Sequence, residues 1–318
     1  MIFSLAPMEG LTGYIVRNAF HHNFNFIDKY YTPFIPAAKR MNSKIKRDLD
    51  PSNNEGITLI PQAMSIQSGE VISLHEQLKP YGYDEININL GCPSGTVVSK
   101  KRGSGILAYP DMLYSFLDDL FKNADFPVSI KTRTGFDDDI LWPEIIDIYK
   151  NFPIKDLIIH PRVRKDLYKG SIRLDDFALA VEKLSDSPIH LVYNGDITDT
   201  ESFNNIINHF PSVDEIMIGR GLFMNPALIA EIKKTQYSEN LLGSEDFNTR
   251  LIKWHDEILE GYLGIFSGSK DAMFRMKEIW MYMHGLFPDH EKLWKKIKKC
   301  QTLSDYNSIV SSAFISLG

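Results

Sequence analysis

Short apolar stretches alternate with amphipathic ones through most of the chain, and this alternation limits the possible folds more than any other feature. Eight stretches with strand-like composition lie at residues 2–6, 26–32, 57–62, 86–90, 127–132, 155–160, 189–193 and 215–218. Helices are predicted at residues 12–22, 68–81, 110–123, 141–151, 174–185, 200–209 and 225–234. Strands that alternate with helices predict a parallel sheet, and eight such units fit a (β/α)8 TIM barrel. An open doubly wound sheet is the alternative, although the first turn lacks Gly-x-Gly-x-x-Gly.

The pattern changes after residue 236. Residues 237–247 are polar and contain a Gly243-Ser244 turn, which is typical of a linker. Amphipathic helices without strand signals follow at about 247–264, 269–284, 289–300 and 303–315. We therefore expect a barrel domain at 1–236 and a small all-helical C-terminal domain at 245–318. Residues 37–55 are polar and basic, and they predict an exposed excursion from the barrel.

Composition limits the protein class. The chain has 318 residues, of which 43% are hydrophobic and 24% charged, as in ordinary globular proteins. It has no run of about 18 apolar residues that would span a membrane, and its N-terminus does not resemble a signal peptide. Its two cysteines are far apart, which favours reduced thiols in a cytoplasmic protein. The net charge is −6, but a lysine cluster at 292–299 permits a basic face on the last helices.

Polar or reactive residues follow most of the predicted strands. Active sites of such barrels lie at the C-terminal ends of the strands. The residues concerned are Met8, Glu9, Gln62, Asn89, Cys92, Lys131, Arg133, His160, Arg162, Asn194, Asp196, Gly219 and Arg220. A polar residue at one strand end means little, but the joint pattern predicts a site there.

The loops after the last two strands, Asn194-Gly195-Asp196 and Gly219-Arg220-Gly221, are rich in glycine. Such loops commonly build a phosphate site in barrels, because glycine lets backbone N–H groups approach an anion. Arg220 can add a two-pronged contact. The alternative is that both loops are merely tight turns.

Three side chains leave alternatives open. Cys92 follows the strand 86–90 in a Gly-Cys-Pro turn, ahead of a basic glycine loop at 94–105, and is either reactive or a small buried hydrophobic residue. Lys131 is a candidate for a Schiff base or for a fixed charge beside an anion. His160 is a base, a hydrogen-bond donor or a structural residue. It has no neighbours at metal-ligand spacing, so no metal site is expected.

The motifs together resemble the tRNA-dihydrouridine synthase family over nearly the whole chain. They are Ala6-Pro7-Met8-Glu9-Gly10, Asn89-Leu90-Gly91-Cys92-Pro93, Lys131-Thr132-Arg133, His160-Pro161-Arg162, Tyr193-Asn194-Gly195-Asp196 and Ile218-Gly219-Arg220-Gly221. The Asn-x-Gly-Cys-Pro element is the most specific. Two positions differ from the usual pattern: Pro161 replaces a glycine, and Leu11-Thr12-Gly13 lacks an acidic residue.

The resemblance implies an FMN enzyme that reduces the C5=C6 bond of a uridine in tRNA with NADPH as electron donor. The implied flavin contacts are Pro7, Met8, Gln62, Lys131, His160, Asn194, Asp196, Gly219 and Arg220. The implied tRNA contacts are Asn89, Arg162, Arg275, Lys277, Lys295 and Lys298.

The chemistry fits these roles. Reduction needs a hydride at C6 and a proton at C5. A thiol with a pKa of about 8.5 is mostly protonated at neutral pH and can donate that proton, so Cys92 is expected to be a general acid. Lys131 would neutralise the reduced flavin, and the uridine would have to leave its stack to reach the barrel, where the 94–105 loop would cover it.

Three other functions compete with this one. A reductase of small molecules, of the dihydroorotate type, would need neither a helical domain nor a basic loop at 162–169. A barrel that binds RNA without catalysis would not need Cys92 and Lys131. An aldolase using Lys131 would not bind FMN. We expect a monomer without membrane attachment.

Overall fold

The computed structural model describes residues 1–37, 40–237, 242 and 246–317. The predicted Gly243-Ser244 turn and the domain limits at 245 and 318 lie outside these residues. All strand pairings are parallel. The strands of the described residues are β1 (Ile2–Leu5), β2 (Lys29–Tyr31), β3 (Ile35–Pro36), β4 (Leu59–Ile60), β5 (Gln62–Met64), β6 (Ile86–Leu90), β7 (Val128–Gly135), β8 (Asp156–Val163), β9 (His190–Asn194) and β10 (Glu215–Ile218).

These ten strands form eight staves of a barrel, because two of the staves are each made of two short strands. One consists of β2 and β3, and the other of β4 and β5. β4 and β5 are consecutive and are separated by Pro61, which has no N–H to donate to the ladder. β2 pairs with β4, and β5 pairs with β6. The Pro61 carbonyl still accepts the Asn87 N–H at 2.9 Å. The chain itself therefore carries the sheet across Pro61 and closes the ring, which confirms the predicted (β/α)8 TIM barrel.

Helices surround the barrel and form the C-terminal region. They are α1 (Tyr14–Asn23), α2 (Ser43–Leu49), α3 (Ser68–Leu78), α4 (Gly95–Val98), α5 (Pro110–Asn123), α6 (Trp142–Lys150), α7 (Leu174–Lys183), α8 (Thr200–His209), α9 (Arg220–Met224), α10 (Leu228–Tyr237), α11 (Phe247–Ile265), α12 (Ser269–Met283), α13 (His290–Lys299) and α14 (Leu303–Ile315). Short 3-10 turns lie at Pro51–Asn53, Lys79–Tyr81, Gly103–Ala108, Arg164–Asp166 and His284–Leu286. No helix among the described residues is long and apolar enough to cross a bilayer.

The helix predicted at 225–234 is wrong in its start. Two helices occupy this region: α9 follows β10 directly, and α10 begins at Leu228. The Asn225 side chain caps the turn between them by accepting the Ala227 N–H at 3.0 Å. The predicted excursion at 37–55 also contains the helix α2, whose N-cap Asn42 accepts the Ile45 N–H at 2.9 Å.

The alternation in β6 separates two environments. Ile86, Ile88 and Leu90 are fully buried in the large apolar cluster that fills the space between sheet and helices. Asn87 and Asn89 have the opposite parity and therefore point into the barrel. The barrel interior also holds a small separate apolar cluster. Its members are Ala6, Tyr31, Ile60, Ile158, Val192 and Met217.

The C-terminal helices dock on the barrel near α1 and α9. Trp254 of α11 is fully buried, and its ring centroid lies 5.1 Å from that of Phe20 in α1. It also lies 6.4 Å from the ring of Phe223 in α9. The predicted all-helical character of this region is confirmed, whereas the division of the chain into domains at 236 and 245 stays a prediction.

Candidate active site

The C-terminal ends of the strands meet in a cavity of about 420 Å³, a volume in the usual range for a cofactor or small ligand. Loops after β1, β6, β8, β9 and β10 contribute to its wall. The predicted residues that line it are Pro7, Met8, Gln62, Asn89, Cys92, Lys131, His160, Asn194, Asp196, Gly219 and Arg220. The fold thus brings together every residue predicted to contact flavin. It also places the predicted acid, Cys92, and one predicted tRNA contact, Asn89, in the same cavity. Their individual roles stay predictions.

Amide side chains form a hydrogen-bonded row on one wall. Gln62 donates from Nε2 to Asn87 Oδ1 at 2.7 Å, and Asn89 donates from Nδ2 to Gln62 Oε1 at 2.7 Å. Asn89 Oδ1 in turn accepts the backbone N–H of Cys92 at 2.9 Å. These three hydrogen bonds run from the barrel interior to the Cys92 turn. They therefore fix the position of that turn from inside the barrel.

The Cys92 turn is also held from the loop side. The Cys92 carbonyl accepts the Ser104 N–H at 3.1 Å and the Ser104 hydroxyl at 2.9 Å. Gly103 has a φ of +54°, and a Cβ there would lie 2.7 Å from the Cys92 carbonyl oxygen. Only glycine combines this backbone with so close an approach. The base of the 94–105 loop is therefore fixed against the cysteine.

The environment of Cys92 keeps its thiol protonated. Burial raises the pKa of Cys92, while the Ser94 N–H and the charges of Arg133 and Lys131 act in the opposite direction without cancelling the effect. A protonated thiol is a proton donor and a poor nucleophile. Burial raises the pKa of an inert thiol as well, so the role of Cys92 as an acid stays a prediction.

The cavity wall is rich in positive charge. Burial, and next the charge of Arg133, lower the pKa of Lys131 to about 7. Burial and the charges of Arg133 and Lys131 lower the pKa of His160 well below its usual value, so its imidazole is neutral. An anion in the cavity would relieve both effects, because it would stabilise the charged forms of these groups.

The loops after β9 and β10 form the other end of the cavity. A Cβ on Gly221 would lie 2.0 Å from the Ile197 carbonyl oxygen, so the two loops meet backbone to backbone. Asn194 fixes them by donating from Nδ2 to the Met217 carbonyl at 2.8 Å. Close backbone, glycine and a neighbouring guanidinium are the features of an anion site.

Asp196 bridges two arginines at this end. Its Oδ1 accepts from Arg162 Nη1 at 2.9 Å, and it is also hydrogen-bonded to Arg220. Although burial raises the pKa of Asp196, the hydrogen bonds and charges of Arg162 and Arg220 hold it below its usual value. Asp196 is therefore anionic and orients the arginines, whose charge exceeds its own.

Glu9 and Arg133, both predicted at strand ends, also line the cavity, and Arg133 lies within β7, which continues to Gly135. The lining also includes Tyr168 and Tyr282, which were not predicted as site residues. Tyr168 comes from the basic loop after β8. The guanidinium carbon of Arg133 lies 5.3 Å from the centroid of its ring, and that of Arg220 lies 5.0 Å away. Tyr282 comes from α12, more than 50 residues beyond the last strand, and no local sequence signal points to it.

The other predicted tRNA contacts are not among the residues that line the cavity. Arg162 is buried and donates from Nε to the Gly170 carbonyl at 2.7 Å. Arg275 contacts the Gly10 carbonyl at 3.4 Å, and Lys277 donates to the Cys300 carbonyl at 2.7 Å. Lys295 and Lys298 are exposed on α13. The roles of these residues in tRNA binding stay predictions.

Groups of His, Cys, Asp and Glu with metal-binding geometry are found at two places in the described part of the chain, and neither is in the cavity. One is at the surface, around His75. The other lies at the opposite end of the barrel and contains Asp156, His190 and Glu215.

The chain is similar to known proteins over most of its length. The family model described as "Dihydrouridine synthase (Dus)" matches residues 4–315. The tRNA-dihydrouridine synthase B of Pasteurella multocida is 29% identical over 296 residues, which cover 90% of this chain and 84% of that protein. The tRNA-dihydrouridine(20/20a) synthase of Synechocystis sp. is 27% identical over 332 residues, which cover 97% and 90%.

Among solved structures, morphinone reductase superposes with a TM-score of 0.52 at 9% identity, covering 74% of this chain and 86% of that one. At that identity the likeness concerns the fold alone. The family match, by contrast, extends over the barrel and the C-terminal helices together. The chain therefore belongs to the dihydrouridine synthase family.

Proposed function

We propose that this protein reduces the C5=C6 bond of a uridine in tRNA, with bound FMN as the redox cofactor and NADPH as the electron donor. The observation that carries the proposal is the placement of Cys92, a thiol whose pKa is raised by burial, in the same cavity as Lys131 and a glycine-rich anion site. Family membership supports this chemistry over that of other barrels.

The residues present fit FMN. The anion end, with Gly219, Arg220 and Asn194, suits a phosphate. Pro7 and Met8 offer an apolar floor, and Lys131 offers a positive charge at the opposite wall. Gln62 and His160 can supply hydrogen bonds to a polar ring edge. When bound, FMN supplies the hydride.

Cys92 would supply the proton. Its turn is fixed by Asn89 from the barrel and by Ser104 from the loop, so the thiol has a defined position. Its raised pKa keeps the proton available at neutral pH. Lys131 would stabilise the negative charge that reduction creates, since a preorganised cation in a buried site is most effective there.

The tRNA would lie across the barrel mouth and the C-terminal helices. α13 exposes Lys295 and Lys298, which can contact phosphates without reading bases. The target uridine would have to leave its stack to enter the cavity. We place this reaction in the cytoplasm and assign it to a monomer, with Arg162, Arg275 and Lys277 as further candidate contacts.

An aldolase is a second candidate, because a lysine whose pKa is lowered to about 7 can form a Schiff base. Two observations favour the reductase. The cavity has a thiol fixed from both sides, which an aldolase would not use, and the family match includes the C-terminal helices.

One assay separates these functions. The purified protein would be loaded with FMN, and NADPH consumption would be followed spectroscopically with tRNA that has no dihydrouridine, with free uridine or with dihydroorotate-type substrates. We expect tRNA alone to support turnover. Failure to retain FMN, together with trapping of Lys131 by borohydride and a keto acid, would support the aldolase instead. Turnover on a free pyrimidine would support a small-molecule reductase.

A further inference from the structure

The anion end of the cavity lies at the junction between the barrel and the C-terminal helices. α9 begins at Arg220, directly after the glycine of the last barrel loop. Phe223, one turn further on, is fully buried, and its ring centroid lies 6.1 Å from that of Tyr282 in α12. The helix that starts at the anion site is thus packed against the helical region.

Tyr282 reaches the cavity from that junction. Among the described residues beyond α10, it is the one that lines the cavity. Its side chain is half-buried. Tyr282 and Arg220, the guanidinium of the anion site, line the same cavity, and burial raises the pKa of Tyr282. A tyrosine in this state keeps its hydroxyl proton and is a hydrogen-bond donor.

We propose that the Tyr282 hydroxyl donates a hydrogen bond to the phosphate of bound FMN, so that the cofactor connects the tRNA-binding helices to the barrel. The inference rests on the proposed function and adds a phosphate contact that comes from outside the barrel. Hydrogen bonds to a charged acceptor are stronger than neutral ones. A phosphate has enough acceptor oxygens for Arg220, the backbone N–H groups of the loop and one phenol.

Binding of FMN would then stabilise the docking of the helices on the barrel. A ligand that contacts both parts binds the docked arrangement better than an undocked one, so its binding stabilises docking by mass action. The helices that are expected to hold tRNA would then be best ordered in the FMN-loaded protein.

The test compares FMN with riboflavin, which lacks the phosphate. Apoprotein would be titrated with each flavin, and flavin fluorescence would give the dissociation constants for the wild type, Tyr282→Phe and Tyr114→Phe. Tyr114 is exposed on α5, away from the cavity, and is the matched control. Tyr282→Phe keeps the ring that packs on Phe223, so the fold is expected to persist.

We expect Tyr282→Phe to weaken FMN binding about tenfold or more and to leave riboflavin binding and the control unchanged. The FMN-induced rise in Tm should also be smaller in this variant. An unchanged FMN affinity, or an equal loss for FMN and riboflavin, would overturn the inference while leaving the proposed function intact. If wild-type protein bound no FMN, both would be overturned.

Discussion

At the scale of single residues, the cavity combines one thiol with several cations. Cys92 and Lys131 lie on neighbouring staves, β6 and β7, which pair in register from Ile86 with Val128 onward. Because parallel strands end at the same edge of the sheet, residues far apart in the chain meet there. The register places Cys92 and Lys131 at the same cavity.

Replacement of the thiol tests the acid directly. In Cys92→Ala, FMN binding should be retained, and tRNA reduction should slow by roughly 10²–10⁴-fold, the usual contribution of a general acid. Single-turnover mixing of reduced enzyme with tRNA measures this step. Cys300→Ala is the control, since Cys300 is buried in the helical region and its thiol contacts the Ile297 carbonyl. Equal rates for wild type and Cys92→Ala would refute the proton-donor role.

Replacement of the lysine tests the cation. In Lys131→Met, a positive charge that would stabilise the reduced, anionic flavin is lost. The midpoint potential of bound FMN should therefore become more negative, as measured by spectroelectrochemical titration. Lys155→Met, at the opposite end of the barrel and paired with Glu85, should leave the potential unchanged. A potential insensitive to Lys131 would show that the lysine does not face the ring.

At the scale of elements, the excursion at 37–55 supports the cavity floor. Asp48 accepts the Tyr14 N–H at 2.7 Å and so caps α1, for which Gly13 offers no side chain. Arg17 is fully buried and bonds both the Asp48 carboxylate and the Thr12 carbonyl.

The network continues to the cavity. The Thr12 hydroxyl accepts the N–H of Met8, which lines the cavity, at 2.9 Å. In Asp48→Ala, α1 loses its cap and the buried Arg17 loses a partner, so we expect a loss of about 2–4 kcal/mol in the free energy of unfolding. Urea titration measures it. Asp50→Ala, at an exposed cap of a 3-10 turn, should lower the free energy of unfolding much less than Asp48→Ala does. Similar losses in the two variants would contradict this account.

Local sequence patterns predict the strands and most helices, because they depend on periodicity and caps. The interruption of a stave at Pro61 and the split between α9 and α10 were not anticipated, although both have local causes: Pro61 has no N–H, and Asn225 caps the turn by accepting the Ala227 N–H. The site residues at strand ends were predictable because the periodicity that predicts a strand also predicts where it ends. Tyr282 was not, because its place in the cavity follows from how α12 packs on α9.

At the scale of the whole molecule, a charged cluster closes the barrel at the end opposite the cavity. His190 bonds Asp156 through Nδ1 at 2.7 Å and Asp214 through Nε2 at 2.6 Å. Lys29 donates to the fully buried Glu215 at 2.6 Å. The cluster joins strand starts around the ring, and Lys29 contributes its cation at 2.6 Å from Glu215 and 3.5 Å from Asp156.

This cluster predicts a pH dependence of stability. The hydrogen bond with Asp156, and then that with Asp214, raise the pKa of His190 to about 9 from 6.5. Because the folded pKa is raised, the stabilisation is complete below pH 6.5 and is lost as pH rises through about 9. The imidazole is partly exposed, so we expect an effect on the order of 1–2 kcal/mol.

Urea unfolding of wild type and His190→Asn between pH 6.5 and about 9 measures this contribution to the free energy of unfolding. The difference between the two proteins should shrink as pH rises. His209→Asn, exposed on α8, is the control and should give no such trend. A difference that stays constant with pH would mean that the cluster does not hold a protonated histidine.

We propose that the protein reduces a uridine in tRNA at this cavity, with Cys92 as the acid. The most direct measurement is to express the protein in cells whose tRNA has no dihydrouridine and to analyse tRNA fragments by mass spectrometry. Wild type should add the mass of two hydrogens at a defined uridine, and Cys92→Ala should add little or none. Protein that retains FMN and yet leaves every uridine unchanged would contradict the account.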